Sequence, residues 1–233
     1  MEMLLLNYLS KQNNQIEECL RGIRTNIQFC GTELKSILIT SCTPDEGKSS
    51  VTVELARSFA KTGKKVLVID TDMRKTVMKN RYQIKTENGT PIKGLSHYLS
   101  GQTNADSILY QTNVPNLFMI LAGQSVPNVT ELLDSKRFNL LMNASVEHFD
   151  YIFIDTAPLT VAIDSSIVAK KCNGAIMVIE PEANPTRLVQ SCKKQLDASG
   201  VRILGVVLNK VKATKNMYGK YYGAYYGNYY GNN

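Results

Sequence analysis

The stretch that decides the fold runs from Ser36 to Ser50 and reads SILITSCTPDEGKSS. Its first part, Ile37 to Ile39, is a short apolar run, which is typical of a strand buried within a parallel sheet. A loop ending in Gly47-Lys48-Ser49 follows, and apolar residues then recur at helical spacing. This order points backbone N–H groups and the amino end of a helix at one spot, which favours binding of a polyphosphate.

The same stretch has the strand, loop and helix context of a Walker A motif. Gly47 lets the backbone approach the phosphates, Lys48 is expected to reach the β and γ phosphates of ATP, and the Ser49 hydroxyl is expected to bind Mg²⁺. Cys42 replaces the first glycine of the usual pattern, and a small residue is tolerable there. The predicted nucleotide contacts in the loop are Thr43, Pro44, Asp45, Glu46, Gly47, Lys48, Ser49 and Ser50.

Two more apolar runs end in aspartates. The run at 66–69 leads into Asp70 and Asp72, and the run at 151–154 leads into Asp155 in the Walker B arrangement. Ligands bind parallel sheets at the carboxyl ends of the strands, so we expect these side chains near the phosphate loop. Carboxylates beside a polyphosphate are costly unless a cation offsets them, which predicts Mg²⁺ or Arg74 in that role. The candidate oxygen ligands for such an ion are Ser49, Asp155 and the pair Asp70 and Asp72.

The rest of the chain alternates strand and helix patterns, which predicts an α/β fold with a doubly wound, mainly parallel sheet flanked by helices. Further strands are expected at 117–121, 175–179 and 203–208, and helices from Ile16 ahead of the first strand and at 186–198. Thr130 is a candidate N-cap of a helix through about Glu147. Residues 75–113 are expected to form helices and loops, with short helices at 94–99 and 104–110. Asn209, after the last strand, is a candidate contact for the purine edge.

Composition limits the class of protein. A chain of 233 residues fits a single α/β domain, and its net charge of +7 suits a nucleotide, an anionic membrane surface or DNA. Five cysteines without C-x-x-C spacing argue against a disulfide framework or a zinc site and favour a reducing cytosol. The sequence has no apolar run near the about 18 residues that a membrane span requires.

The segment from Met217 to Asn233 consists mostly of tyrosine, glycine and asparagine. It lacks aliphatic residues and cannot form a core, so it is predicted to be flexible. Such a segment is either an association or nucleic-acid-binding element or a cluster of phosphate acceptors. Seven of the twelve tyrosines lie here, at Tyr218, Tyr221, Tyr222, Tyr225, Tyr226, Tyr229 and Tyr230.

These motifs together resemble the bacterial tyrosine kinases of capsule and exopolysaccharide systems, in the form that is a separate cytoplasmic chain. The resemblance rests on the Walker A motif, on a Walker A′ motif from Val68 to Arg74, on the Walker B motif and on the tyrosine cluster. Residues 17–27 are also similar to the family's E-x-x-R-x-x-R-T-N-I motif, which implies ring contacts. The residues predicted to take part in oligomerisation are Glu17, Arg21, Arg24 and Asn26.

The resemblance implies an ATP-dependent protein-tyrosine kinase that regulates capsular or exopolysaccharide synthesis and export. It would autophosphorylate in trans, with a tail tyrosine entering the site of the next subunit, and its catalytic residues would be Lys48, Asp70, Asp72 and Asp155. The resemblance also assigns Ser49, Asp72 and Asp155 to the metal and makes Asp70 the candidate base, and this division between Asp70 and Asp72 comes from the family likeness alone. The implied partners are other subunits in a ring (octameric in the family), a membrane adaptor of the polysaccharide copolymerase type at the inner face of the plasma membrane, and a cognate protein-tyrosine phosphatase; nucleic acid is not expected.

The predicted organisation has a helical oligomerisation segment at 1–34, a P-loop kinase domain at 35–212 and a tyrosine-cluster tail at 213–233. The main alternative is a ParA/MinD-like positioning ATPase, which shares the fold but usually has a lysine at the position of Thr43 and lacks such a tail. A non-enzymatic scaffold is disfavoured because the Walker residues are all present. Thr76 and Ala157 stand where the kinase family commonly has proline.

Overall fold

Nine strands form one sheet in the computed structural model, which describes residues 2–9 and 14–211. The strands are β1 Met3–Leu5, β2 Ser36–Ser41, β3 Val66–Asp70, β4 Lys85–Thr86, β5 Tyr110–Thr112, β6 Leu117–Ile120, β7 Tyr151–Asp155, β8 Gly174–Ile179 and β9 Ile203–Leu208. The helices are α1 Asn14–Phe29, α2 Lys48–Ala60, α3 Met78–Arg81, α4 Leu95–Leu99, α5 Val129–Asp134, α6 Lys136–His148, α7 Asp164–Ala169 and α8 Thr186–Ala198.

The strand order is β4-β1-β5-β6-β3-β7-β2-β8-β9. The six strands β6, β3, β7, β2, β8 and β9, neighbours in this order, are parallel to one another. In contrast, β5 pairs antiparallel with β6 and β4 pairs antiparallel with β1. The predicted α/β fold with a mainly parallel sheet is therefore confirmed. In this register Asp155 lies opposite both Ile39 of β2 and Asp70 of β3, so two predicted site carboxylates end adjacent strands at the same level.

Alternate residues of the central strands pack into two separate layers of core. Leu38 and Ile154 face one layer with α4 to α8, whereas Ile37 and Phe153 face the other with α1 and α2. Because side chains alternate between the faces of a strand, a sheet covered on both sides needs continuous apolar runs. This requirement explains why the central strands could be recognised in the sequence.

The peripheral part of the sheet differs from the prediction. The helix over Asn14–Phe29 follows β1, so it is not ahead of the first strand. The region 75–113 contains β4 and β5 as well as helices, and the predicted helix at 104–110 is a 3₁₀ turn at Ala105–Ser107 followed by β5. Strands of two or three residues are too short to show an alternating pattern.

The predicted single helix capped by Thr130 is also wrong. Two helices, α5 and α6, meet at Ser135, whose extended backbone (φ −68°, ψ 157°) interrupts the helical path. The Ser135 hydroxyl accepts a hydrogen bond from the Phe138 N–H and so caps α6. Thr130 lies in the first turn of α5, and its hydroxyl donates to Asp164 instead.

Within the described residues, no helix combines the length and the apolar character that a bilayer crossing requires. The predicted boundaries near residues 34 and 212 remain predictions, and α1 packs on α2. The tyrosine cluster at 218–230 lies outside the described residues.

Candidate active site

The phosphate loop between β2 and α2 depends on Gly47. Its φ of +89° is in the left-handed region that favours glycine, and a Cβ there would lie 2.1 Å from Asn209 Nδ2. That amide nitrogen donates to the carbonyl oxygen of Glu46 at 2.9 Å. The predicted residue Asn209 thus contacts the loop itself, and both the backbone conformation and this close contact require a glycine.

The side chain of Glu46 holds the loop from inside. It is 2% exposed, and its Oε2 accepts from the Thr43 N–H at 2.7 Å, while Oε1 accepts from Asn184 Nδ2 at 2.8 Å and from the Glu180 N–H at 3.2 Å. These bonds connect the start of the loop to the segment after β8. Sequence reasoning placed Glu46 among the nucleotide contacts and missed Asn184, because no motif marks the pairing.

Cys42 occupies the first-glycine position without disturbing the loop. Its side chain is buried, and its carbonyl oxygen accepts hydrogen bonds from the N–H and the hydroxyl of Thr160. Burial, together with the neighbouring Cys192, raises the pKa of the Cys42 thiol to about 12. The residue is therefore a neutral packing group at physiological pH.

Lys48 lies at the centre of the predicted catalytic group. Its Nζ is 3.3 Å from Ser49 Oγ, 3.4 Å from Asp72 Oδ2 and 3.8 Å from Asp155 Oδ1. Burial acts to lower the pKa of Lys48, but the carboxylates around it outweigh burial and raise the pKa above its ordinary value. Lys48 is therefore cationic at neutral pH.

Asp70 and Asp155 lie side by side at the ends of β3 and β7, and each is 1% exposed. Burial first, and then the charge of Asp155, raises the pKa of Asp70 to about 7. Burial also raises the pKa of Asp155, although Lys48 opposes that shift. The Asp70 carboxylate accepts from the Asp72 N–H and from the hydroxyl of Thr76, the residue that replaces the family's proline.

The donor set is of the chemical type that suits magnesium. Oxygen atoms of Ser49, Asp72 and Asp155 lie within 4 Å of Lys48 Nζ, and Mg²⁺ prefers oxygen ligands. Among the described residues, no group of three or more His, Cys, Asp or Glu side chains forms a ready metal site. Mg²⁺ usually takes one or two protein carboxylates and completes its shell with water and substrate phosphates.

Arg74, predicted as one of two cations that could offset Asp70 and Asp72, forms its ion pair with Asp164; Asp164 first, and then the charge of Asp72, raise the pKa of the Arg74 guanidinium. In this pair Arg74 Nε lies 2.6 Å from Oδ2 and Nη2 lies 3.2 Å from Oδ1. Thr130 Oγ1 donates to the same Oδ1 at 2.8 Å. Lys48 is the cation that lies beside Asp70 and Asp72. The sequence around Asp164 has no motif, so Asp164 was not predicted as a site residue.

An open cavity lies over these groups. Four basic side chains and two acidic ones contribute to its wall, a balance that suits an anionic ligand. The predicted contacts Thr43, Glu46, Ser50 and Asn209 lie outside this lining. The lining residues are Pro44, Asp45, Gly47, Lys48, Ser49, Asp72, Arg74, Lys75, Val77, Arg81, Ala157, Pro158 and Val161.

The residues predicted for oligomerisation differ in how they are used within the chain. Glu17 bonds Lys61 at 2.8 Å, and Arg24 donates to the carbonyl and hydroxyl oxygens of Ser58, so both bind their own α2. Arg21 pairs with the neighbouring Glu18, and Arg21 and Asn26 are both exposed. Of the four residues predicted for oligomerisation, Arg21 and Asn26 are therefore the exposed ones.

Comparison with known proteins identifies the family. A family model described as an AAA domain matches residues 35–187. The tyrosine-protein kinase CpsD of Streptococcus agalactiae is 41% identical over 91% of this chain and 90% of its own. The CpsD protein of Streptococcus pneumoniae is 41% identical over 88% of each chain. The chain belongs to this family of tyrosine-protein kinases. The resemblance drawn from the motifs is confirmed, and membership in a kinase family implies that this kinase binds ATP.

Solved structures agree with this assignment. The crystal structure of the chimerical protein CapA2B2 matches this kinase with a TM-score of 0.81 and 29% identity, over 90% of this chain and 93% of that one. The septum site-determining protein MinD from Pyrococcus horikoshii, complexed with Mg-ADP, matches with a TM-score of 0.64 and 22% identity, over 78% of this chain and 72% of that one. The second likeness shows the fold alone, so it does not support the positioning ATPase.

Replacing Glu46 by Gln is expected to weaken ATP binding about tenfold, although the side chain does not line the cavity. The amide would turn an N–H group toward either the Thr43 N–H or the donors on Oε1, and a buried donor would lose its acceptor. Calorimetric titration with a non-hydrolysable ATP analogue measures the change. Glu33→Gln makes the same charge change at an exposed site and serves as the control. An unchanged dissociation constant in folded Glu46→Gln would contradict the role of the side chain.

Replacing Asp70 by Asn is expected to raise the melting temperature of the metal-free, nucleotide-free protein more at pH 8 than at pH 5. The pKa of Asp70 rises from about 3.8 to about 7 on folding, so the folded state holds the extra proton across this window. The stability contributed by the protonated carboxyl is full below the window and is lost as the pH rises through it. Asn keeps the shape without the buried charge.

Thermal melts followed by circular dichroism at the two pH values measure this effect. The exposed Asp106→Asn is the matched control, and its melting-temperature difference from the wild type should not depend on pH. An equal or smaller gain for Asp70→Asn at pH 8 than at pH 5 would show that Asp70 is ionised throughout the range.

Proposed function

We propose that this kinase transfers the γ-phosphoryl group of ATP to tyrosine hydroxyls in the C-terminal segment of a neighbouring subunit, and that this reaction regulates capsular or exopolysaccharide synthesis and export. One observation carries the proposal: Lys48 Nζ lies within 4 Å of side-chain oxygen atoms of Ser49, Asp72 and Asp155. Lys48 belongs to the phosphate loop motif, and the chain belongs to a family of tyrosine-protein kinases. The geometry supports stabilisation of a charged phosphoryl group in transit.

Each group has a separate task in this proposal. The Gly47 loop and the amino end of α2 bind the phosphates through backbone N–H groups, and the Lys48 ammonium balances their charge. Ser49, Asp72 and Asp155 would hold Mg²⁺, which supplies further charge neutralisation at the phosphates when bound. The buried surroundings strengthen these interactions, because little water competes for them.

Asp70 is the proposed general base. A tyrosine hydroxyl has an ordinary pKa near ~10, so at neutral pH its attack on phosphorus gains from removal of the proton. A carboxylate whose pKa lies at about 7 is suited to accept that proton, and hydrogen bonds from Thr76 and the Asp72 N–H fix its orientation. Asp72 then remains with Lys48 and the metal.

The acceptors in the proposal are the seven tyrosines between Tyr218 and Tyr230. The end of β9 supports a route for them, because Asn209 contacts the phosphate loop and the described chain ends two residues later at Val211. The last described residues, 209–211, therefore lie close to the phosphate loop. The proposal assigns acceptance to the site of the next subunit, as in the family that the sequence resembles.

The proposed partners follow the same family. Subunits would form a ring, octameric in the family, with the exposed Arg21 and Asn26 of α1 at the contacts. A membrane adaptor of the polysaccharide copolymerase type would bring the kinase to the inner face of the plasma membrane, and a cognate protein-tyrosine phosphatase would reverse the modification. The net charge of +7 is compatible with an anionic membrane surface, as it is with a nucleotide.

The proposed function predicts phosphorylation in trans. A full-length Lys48→Met chain, unable to transfer phosphoryl groups, is mixed with an otherwise wild-type chain that ends at residue 212 and carries no tail tyrosines. With Mg·ATP and the adaptor's cytoplasmic segment, phosphotyrosine should appear on the Lys48→Met chain, as followed by mass spectrometry. Lys48→Met alone is the control and should stay unlabelled.

Other outcomes of this mixture separate the alternatives. If the full-length wild-type chain, incubated by itself, becomes labelled while the Lys48→Met chain in the mixture does not, transfer occurs in cis. Absence of phosphotyrosine combined with ATP hydrolysis that DNA or vesicles stimulate would support the positioning ATPase. Absence of both activities would support a scaffold.

A second prediction concerns assembly. Each phosphate adds about −1.5 to −2 charges, so phosphorylated tails should repel one another and dissociate the ring. Light scattering coupled to size exclusion should give a large mass for the unphosphorylated chain and a smaller one after incubation with Mg·ATP. A variant with phenylalanine at the seven tail tyrosines is the control and should keep the large mass. Identical masses of the phosphorylated and unphosphorylated wild type would refute the proposal.

A further inference from the structure

Three elements meet at the carboxylate of Asp164 beside the cavity. Asp164 begins α7, Thr130 lies in the first turn of α5, and Arg74 follows β3. The Asp164 side chain is 3% exposed, and both of its oxygen atoms accept hydrogen bonds. Arg74 binds in the forked manner of an arginine–carboxylate pair through Nε and Nη2, and Thr130 adds a third bond.

This pair is arranged unlike an ordinary surface ion pair. The acid is buried, which is costly without a partner, whereas the Arg74 side chain stays 38% exposed and lines the cavity with Lys48 and Ser49. Arg74 Nη1 forms no hydrogen bond with any of the described residues, so its two N–H groups are available to a ligand. The buried carboxylate therefore holds an arginine on the wall of the nucleotide cavity with donors to spare.

The other cations at the outer part of this wall are not held in this way. Lys75 is exposed at the surface, and Arg81 Nη1 donates to the hydroxyl of Ser50. An anchored, planar guanidinium loses less conformational entropy when it binds a phosphate than a free lysine side chain does. Arg74 is the basic group at the outer wall whose orientation the structure fixes through a buried acid.

We propose that Asp164, supported by Thr130, is a positioning residue that orients Arg74 so that its guanidinium binds the phosphoryl group during transfer. The inference rests on the phosphoryl-transfer function proposed above. Lys48 would bind the charge from the inner end of the cavity and Arg74 from the outer end. Arg74 then acts on the transferred group, and Asp164 acts only through Arg74.

The test compares full-length chains carrying Asp164→Asn, Arg74→Ala or both changes, under steady-state phosphorylation with Mg·ATP and the adaptor segment. Asn keeps the size of the side chain but removes the charge that anchors Arg74. We expect Asp164→Asn to lower kcat at least tenfold while the KM for ATP changes less than threefold. The double variant should be no slower than Arg74→Ala, because the two residues act as a unit.

The matched control is Asp134→Asn, at the end of neighbouring α5. It removes an exposed carboxylate that pairs with Lys171, and it should leave kcat unchanged. If Asp164→Asn does not fold, Thr130→Val removes only the supporting hydroxyl and should lower kcat in the same direction by about threefold, whereas Thr130→Ser should keep the wild-type rate.

A second measurement needs no tyrosine acceptor. The affinity of each chain for Mg·ADP with aluminium fluoride, which mimics a phosphoryl group in transit, is compared with its affinity for Mg·ADP alone. Asp164→Asn should weaken the first at least tenfold and the second by less than threefold. A wild type that labels no tyrosine would overturn the proposed function, yet this ratio would still test Asp164. The inference would be overturned if Asp164→Asn left the ratio of the two affinities unchanged. It would also be overturned if the effects of Asp164→Asn and Arg74→Ala on kcat were additive in the double variant.

Discussion

The ammonium group of Lys48 makes the active site possible. Three carboxylates, those of Asp70, Asp72 and Asp155, lie almost without solvent at the ends of two adjacent strands, and their mutual repulsion would be prohibitive in an uncompensated interior. Lys48 lies within ion-pair distance of two of them and keeps its own charge because they surround it. The proton that Asp70 retains near neutral pH is the remaining compensation. Both adjustments depend on the register that places Asp70 opposite Asp155.

The central part of this arrangement could be predicted from the sequence because several physical requirements coincide there. Strands covered on both faces must be apolar throughout, and a phosphate loop needs glycine, lysine and a hydroxyl in order. Asp70 and Asp155 therefore lie at strand ends in the structure as the sequence predicts, and Lys48 begins the helix after the phosphate loop. Asp70 and Asp155 met as expected because parallel strands end at the same edge.

The remainder depends on tertiary contacts that leave no local pattern. The short strands β4 and β5 owe their existence to pairing with β1 and β6, and their few residues show no periodicity. Ser135 divides a helical pattern into two, because its backbone is extended and its hydroxyl caps α6. Glu46 and Arg74 were assigned to the nucleotide from the motif alone, whereas their partners, Asn184 and Asp164, lie more than 80 residues away. Motifs identified the functional segments without revealing what supports them.

The amide of Asn209 gives the last strand a role beyond the sheet. It ties the end of β9 to the carbonyl of Glu46, so the last described strand shares a hydrogen bond with the phosphate loop. A partner that binds at the end of β9 and displaces Asn209 would also displace this loop. Thermodynamic reciprocity then requires that filling the nucleotide cavity alters the affinity of that partner by the same factor by which the partner alters the affinity for nucleotide.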